Sequence, residues 1–290
     1  MTRLPITKTP KCYVGGAFIR SESGRTFPLH DAAGAFVAHI PQCTRKDLRN
    51  AVEAAAKAGA AWAKRSGYNR GQILYRLAEM LEARRGELEA SLALGAAATS
   101  SARREVAVTI DRIVHYAGWT DKYEQVLGNV NPVAGPYFNF TVTEPMGVVG
   151  VLAPEAPPLL ALVSLILPAI VSGNAVVAIA SSPQPYPAIV LGELLATSDL
   201  PGGVVNVLTG FRPELVPTLA THAHLRAITG VADAAERRTL EEGAAASVKR
   251  VKLLPAETPL NWLDEVGPQP SLYAIRDLVE FKTTWHPVGA

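Results

Sequence analysis

The sequence predicts an α/β protein: a doubly wound, mostly parallel sheet with an N-terminal helical segment and a small β-flap. Three observations carry this. Between residues 147 and 254, short continuous apolar runs alternate with helix-length segments on short loops, the pattern of parallel strands covered on both faces. Before residue 144 the apolar residues recur instead at helical spacing. Two separate segments, 137–144 and 279–285, alternate apolar and polar residues with the period of half-exposed strands.

In chain order, Tyr13-Val-Gly-Gly-Ala-Phe and Ser21-Glu-Ser-Gly-Arg predict a short strand and a turn, because Gly-Gly and Ser-Gly supply turn chemistry between apolar residues. Thr44 is a good N-cap, and Leu48, Val52, Ala55, Ala56 and Gly59 follow at helical spacing until Gly67 breaks the run. A second helix from Asn69 places Ile73, Leu74, Leu77, Met80 and Leu81 on one face. A third, over 103–122, does the same with Val106, Ile110, Ile113, Val114 and Ala117. Strands are predicted at 147–152, 175–180, 204–208, 225–229 and 249–254, with helices at 159–171, 188–198, 214–221 and 232–243 between them. Pro255, Pro259, Pro268 and Pro270 make 255–270 a linker by composition. The chain thus divides into a helical and β part over 1–143, a sheet domain over 144–254, the linker over 255–270 and a last strand within 271–290.

Composition excludes several functions. With 28 basic and 26 acidic residues interleaved, the net charge of +2 gives no field for nucleic acid, so no such partner is expected. The two cysteines, Cys12 and Cys43, build neither a disulfide framework nor a metal-ligand spacing. His222 and His224 have no third ligand at metal spacing, Glu155 reads as a solvated loop carboxylate, and Gly202-Gly203 precedes a strand and reads as a turn. No metal site is expected. The start lacks the apolar run of a secretion signal, which points to the cytoplasm. The greasy stretch 157–179 is long enough to span a bilayer, but Ser172-Gly-Asn inside it fits a helix, a turn and a buried strand, so no membrane span is expected.

Glu144-Pro-Met-Gly-Val-Val-Gly, Leu167-Pro-Ala with Ser172-Gly-Asn-Ala-Val-Val, Asp199-Leu-Pro-Gly-Gly-Val-Val-Asn-Val-Leu-Thr-Gly and Ile228-Thr-Gly, in this order, resemble the Rossmann-like cofactor domain of the aldehyde dehydrogenase superfamily. The opening from Lys11 to Arg25 resembles the non-catalytic second half of the aldehyde dehydrogenase 16 type. Where the family carries its oxyanion-donating asparagine, this sequence has Ala156. Where the family's lysine and glutamate hold the adenosine ribose, Ile179 and Ser182 stand. The family's Gly-Ser-Thr at the pyrophosphate becomes Gly230-Val-Ala, and its general-base glutamate falls at Leu254-Pro-Ala. Neither Cys12 nor Cys43 lies in anything like the family's nucleophile loop.

The resemblance therefore implies a catalytically incomplete homologue and not an enzyme, with no catalytic residue, no cofactor-binding residue and no cofactor, the NAD site being degenerate. In the family the two alternating strands form the flap by which subunits dock. The expectation is a structural or regulatory subunit that binds a cysteine-bearing catalytic aldehyde dehydrogenase subunit, or itself, as an oligomer through Phe138, Phe140, Val142, Val279, Phe281, Thr283 and Trp285. The alternatives are a weak NAD(P)-dependent aldehyde oxidoreductase and a self-paired homodimer without catalytic role.

Overall fold

A computed structural model describes residues 8–95, 98–258, 260–264 and 271–289. The chain opens with the hairpin β1 (Cys12–Val14) and β2 (Ala17–Ile19), turned by Gly15 and Gly16 at positive φ. A second hairpin, β3 (Thr26–His30) and β4 (Phe36–Pro41), leads to α1 (Arg45–Ala63). Thr44 and Asp47 cap α1 reciprocally, with the Thr44 N–H donating to Asp47 Oδ2 at 2.8 Å.

Next comes α2 (Gly67–Ala83), which begins at the glycine expected only to end the preceding run. Ser66 caps it, and Gly67 lies so close to Thr120 that a Cβ would sit 2.3 Å from its carbonyl oxygen. The glycine is there for helix contact. Three more helices follow, α3 (Arg85–Ala93), α4 (Thr99–Ala117) and α5 (Tyr123–Leu127), then β5 (Asn129–Asn131) and β6 (Tyr137–Pro145).

The expected alternation then appears: β7 (Val148–Leu152), α6 (Leu160–Val171), β8 (Ala175–Ile179), α7 (Tyr186–Thr197), β9 (Val205–Leu208), α8 (Arg212–Thr221), β10 (Leu225–Ala232), α9 (Ala234–Ala245) and β11 (Arg250–Pro255). α10 (Leu272–Arg276) and β12 (Val279–Pro287) complete the chain. The stretch 157–179 folds back on itself as α6, a turn through Gly173 and β8. Among the described residues no helix is long and apolar enough to cross a membrane.

The main sheet has the order β11-β10-β7-β8-β9-β1-β2, parallel from β11 to β9 and closed at one edge by the antiparallel β1–β2 hairpin. Alternation along β7 divides the core. Val148 and Leu152 face Leu48 and Val52 of α1, Leu215 of α8 and Leu240 of α9, whereas Val149 and Val151 belong to the cluster with Leu77, Ile113 and Leu167. Helices thus cover both faces, as the unbroken apolar strands require. The helices α2 to α5 share this second cluster with the sheet, while α1 covers the opposite face, so all of them pack onto the sheet. Within the stretch read as a linker, Trp262 is only 5% exposed. Its carbonyl accepts from Arg112 Nη2 at 3.0 Å, and Arg112 Nη1 donates to Ser164 Oγ at 2.9 Å, so residues 260–264 are held against α4 and α6. Residues 1–7 and 265–270 lie outside the described residues.

Candidate functional site

From β7 the sheet grows outward through β8 and β9, while β10 and β11 lie on the other side of β7. The loops leaving the carboxyl ends of β7 and β10 therefore diverge, and such a switch point is where sheets of this kind hold ligands. At and just past the ends of the parallel strands stand Ala153, Ser182, Gly210, Arg212 and Asp233, with Gly230 near the end of β10. Ser181 Oγ donates to the Glu155 carbonyl at 2.8 Å and Ser182 Oγ to the Gly210 carbonyl at 2.7 Å, tying the loops after β7, β8 and β9 together.

Arg212, the first residue of α8, crosses the crevice. Its Nη1 donates to Glu236 Oε2 at 2.8 Å and to the Val231 carbonyl at 3.3 Å, and its Nη2 to the Ala153 carbonyl, so the guanidinium bridges the ends of β7 and β10. Its Nε is buried with no hydrogen-bond partner among the described residues. Asp233 caps α9, accepting from the Glu236 N–H at 2.8 Å, and Glu236 returns a bond from the Asp233 N–H at 3.3 Å. Gly230, read from the sequence as the surviving glycine of a phosphate turn, has a local structural reason as well. With φ at +150° it runs so close to β7 that a Cβ would meet the Leu152 carbonyl oxygen at 2.2 Å.

Behind the loop after β7 lies a second cavity of about 440 Å³, bordered by Arg104, Glu105, Ala156, Pro158, Gln184 and Trp262. Glu105 Oε1 accepts from the Leu159 and Leu160 N–H groups at 2.9 and 3.1 Å, at the start of α6. Burial raises its pKa, and the two backbone bonds only partly offset this. Sequence reading missed Glu105 and Arg212, though each left a trace. Glu105 falls on the stripe of its helix that also holds Ala102, Val106 and Thr109, and Arg212 puts a cation in the first turn of a helix, where the dipole disfavours it.

The cysteines come together in the core, and the hydrogen bond from Cys43 lowers the pKa of the Cys12 thiol. Cys12 and Cys43 lie 3.4 Å apart, both buried, and Cys12 Sγ is 3.2 Å from Thr209 Oγ1. Its hydrogen bond to Cys12, and then burial, push the Cys43 thiol well above its ordinary pKa. Glu155 is exposed, and His222 and His224 meet edge to face at a surface turn. Among the described residues no group of three or more His, Cys, Asp or Glu could hold a metal.

The flap forms as a separate sheet of order β12-β6-β5, with β12 and β6 antiparallel over nine residues, from Val279↔Pro145 to Pro287↔Tyr137. Its register divides the expected docking residues between two faces, and one residue is sealed. Because Phe281, Thr283 and Trp285 pair with Thr143, Thr141 and Asn139, they share one face, and the alternation sends Phe138, Phe140 and Val142 to the other. Val279 is 0% exposed and sits in the main core, so it roots the strand and is closed to a partner. Phe138, Val142, Phe281 and Trp285 are exposed. β12 is an edge strand in this sheet.

Fold and crevice together define a doubly wound α/β protein with a separate three-stranded flap. Residues 18–256 match the family model described as the aldehyde dehydrogenase family, and the chain belongs to that family. It is 34% identical to retinal dehydrogenase 2 of Gallus gallus over 253 residues, 85% of this chain and 48% of that protein. It is 33% identical to the mitochondrial aldehyde dehydrogenase of Sus scrofa over 224 residues, 73% of this chain and 42% of that one. Among solved structures, the NAD+ complex of the aldehyde dehydrogenase from Bacillus cereus superposes with a TM-score of 0.81 at 27% identity, covering 86% of this chain and 51% of the other. The NAD-dependent aldehyde dehydrogenase from Sinorhizobium meliloti gives 0.81 at 30% identity, with 86% and 50% covered. The chain spans about half the length of these relatives.

Two expectations are corrected by these findings. The relatives are named dehydrogenases, which are enzymes, and this overturns the reading of the chain as a non-enzyme. The NAD+ complex among its structural neighbours overturns the reading that no cofactor belongs to this fold. Much of such a crevice is built from strand ends, glycine turns and helix starts, which survive the replacement of side chains. The residues present fit a dinucleotide in chemistry. Gly210 and Gly230 keep side chains out of the strand ends, Ser182 presents a hydroxyl, and Arg212 supplies a cation with an unused donor.

Proposed function

We propose that the chain is the dinucleotide-binding subunit of an NAD(P)-dependent aldehyde oxidoreductase, and that its flap joins it to a cysteine-bearing aldehyde dehydrogenase polypeptide. The flap carries the reading: it is anchored in the core at Val279, yet presents Phe138 and Val142 on one face and Phe281 and Trp285 on the other. Exposed aromatics on both faces of a three-stranded sheet with an open edge suit a protein partner. The subunit role expected from the sequence is kept, with the chain holding cofactor.

In this reading the bound dinucleotide supplies the hydride acceptor. The chain's own residues would bind and orient it: the ends of β7, β8 and β10 flank the crevice, and Ser182 and Arg212 would offer a hydroxyl and a guanidinium to it. The thiol comes from the partner, because Cys12 and Cys43 are both buried under the edge hairpin. The tagged protein is purified from its own cells beside a Phe281→Asp/Trp285→Asp variant. An aldehyde dehydrogenase polypeptide retained in equal amount by the parent and lost from the variant supports the proposal. A chain that purifies alone, as monomer or homodimer, overturns it.

A further inference from the structure

We propose that Cys12 and Cys43 form a redox-active dithiol, which hydrogen peroxide oxidises to a disulfide that fastens the edge hairpin of the main sheet to the turn entering α1.

The two sulfurs belong to segments 31 residues apart, and they stand 3.4 Å from each other in the core. Cys12 opens β1, and Cys43 directly precedes the Thr44 cap of α1. A disulfide needs about 2.05 Å between sulfurs, so bond formation calls for a short movement of the two side chains. The end of β9 holds both segments in place. The Cys43 N–H donates to the Thr209 carbonyl at 3.0 Å, Thr209 Oγ1 donates to the Pro41 carbonyl at 2.6 Å and lies 3.2 Å from Cys12 Sγ, and β1 pairs with β9 at Tyr13↔Val207.

The pair is also polarised. The hydrogen bond from Cys43 lowers the pKa of Cys12 against the cost of burial, and the same bond, then burial, raise that of Cys43. Cys12 is therefore the attacking sulfur and Cys43 the resolving one. The Cys12 thiolate attacks one peroxide oxygen, the O–O bond breaks and hydroxide leaves, so that Cys12 becomes a sulfenic acid. The Cys43 sulfur then displaces that hydroxyl, the S–S bond forms, and the two thiol protons end on the departing oxygens. Two thiols lose two electrons, and the peroxide takes them up as two waters. Burial sets the pace. Both sulfurs are sealed beneath β1 and β2, strands of three residues each at the sheet edge, so access comes through local opening of that hairpin and favours an oxidant close to water in size.

The bond would act on the crevice as well. Gly210 lies so close to Cys43 that a Cβ would meet its N and O atoms at 3.2 Å, and the Gly210 carbonyl accepts from Ser182 Oγ at 2.7 Å. A disulfide at Cys43 therefore stiffens the loop after β9, where it meets the loop after β8.

Protein reduced with dithiothreitol and then freed of it is exposed to hydrogen peroxide for hours, unfolded, and examined by thiol counting and by peptide mass mapping without reduction. Free thiols should fall from two to none, with a peptide in which Cys12 is linked to Cys43. The thermal midpoint of the oxidised protein should rise by at least about 5 °C, because the bond constrains the unfolded chain, and should return on reduction. Cys43→Ala should stop at a sulfenic acid on Cys12 that dimedone traps, and Cys12→Ala should leave Cys43 unmodified. A parent protein that keeps both thiols, links them only between molecules or carries them to sulfonic acids without linking overturns the proposal. A linked pair with an unchanged midpoint overturns the fastening. The linked peptide is read from the parent protein, so the test decides even if neither variant folds.

Discussion

At the scale of single residues, the informative groups are charges and thiols that the fold has taken out of water. Glu105 is held by two backbone N–H groups at the start of α6, yet burial makes its proton harder to lose in the folded protein than in the unfolded chain. The folded state then binds that proton more tightly, so this contribution is full at low pH and is lost as pH rises from the ordinary carboxylate range through the raised folded value. Urea unfolding of wild type and Glu105→Gln at about pH 4 and about pH 7 should show the wild type losing ground to the variant at the higher pH. A gap that stays constant would mean that Glu105 titrates normally. The cysteine pair gives a second residue-scale prediction. With Cys43 pushed up and both thiols buried, native protein should react with a disulfide reagent far more slowly than free cysteine, and both thiols should react at once after unfolding in guanidinium. Rapid reaction of either thiol in the native state would refute that environment.

At the scale of elements, β12 shows how one strand serves two purposes. Its first residue, Val279, is fully buried, and the Val279 and Asp277 carbonyls accept from Arg250 Nη1 at 2.7 and 3.1 Å, whereas Trp285 near its far end is 58% exposed. Val279→Ala should cost about 2 kcal/mol of stability, the loss expected for truncating a packed aliphatic side chain. Trp285→Asp should change stability by no more than about 0.5 kcal/mol, because an exposed position has little packing to lose, while weakening assembly. Denaturant titration and analytical ultracentrifugation of the two variants separate root from tip. The strands were legible as strands because alternation is a local signal. Which aromatics share a face was not, because the strands' relative register depends on pairing between segments more than a hundred residues apart.

At the scale of the whole molecule, the close approach of β10 to β7 makes the switch point. Gly230→Ala places a methyl group 2.2 Å from the Leu152 carbonyl oxygen at a φ that side chains avoid, so β10 cannot keep its register without movement. A loss of at least about 3 kcal/mol, or failure to accumulate as folded protein, is expected. Thermal unfolding against the parent measures it. A variant of parental stability would show that the strands can separate there, and the crevice geometry would have to be redrawn.

The amino-acid sequence by itself determined the alternating α/β body, the strands at its centre and the family to which it belongs, because apolar period and turn chemistry are written along the chain. Only the tertiary structure decided that Gly67 starts a helix, that Trp262 closes the core, that Val279 is sealed, and that Arg212 bridges two strand ends with a donor to spare. Each of these depends on what lies opposite in space: the carbonyl of Thr120, the guanidinium of Arg112, the main core, and the carbonyls of Ala153 and Val231. A one-dimensional pattern reports which way a residue faces. It does not report what it meets.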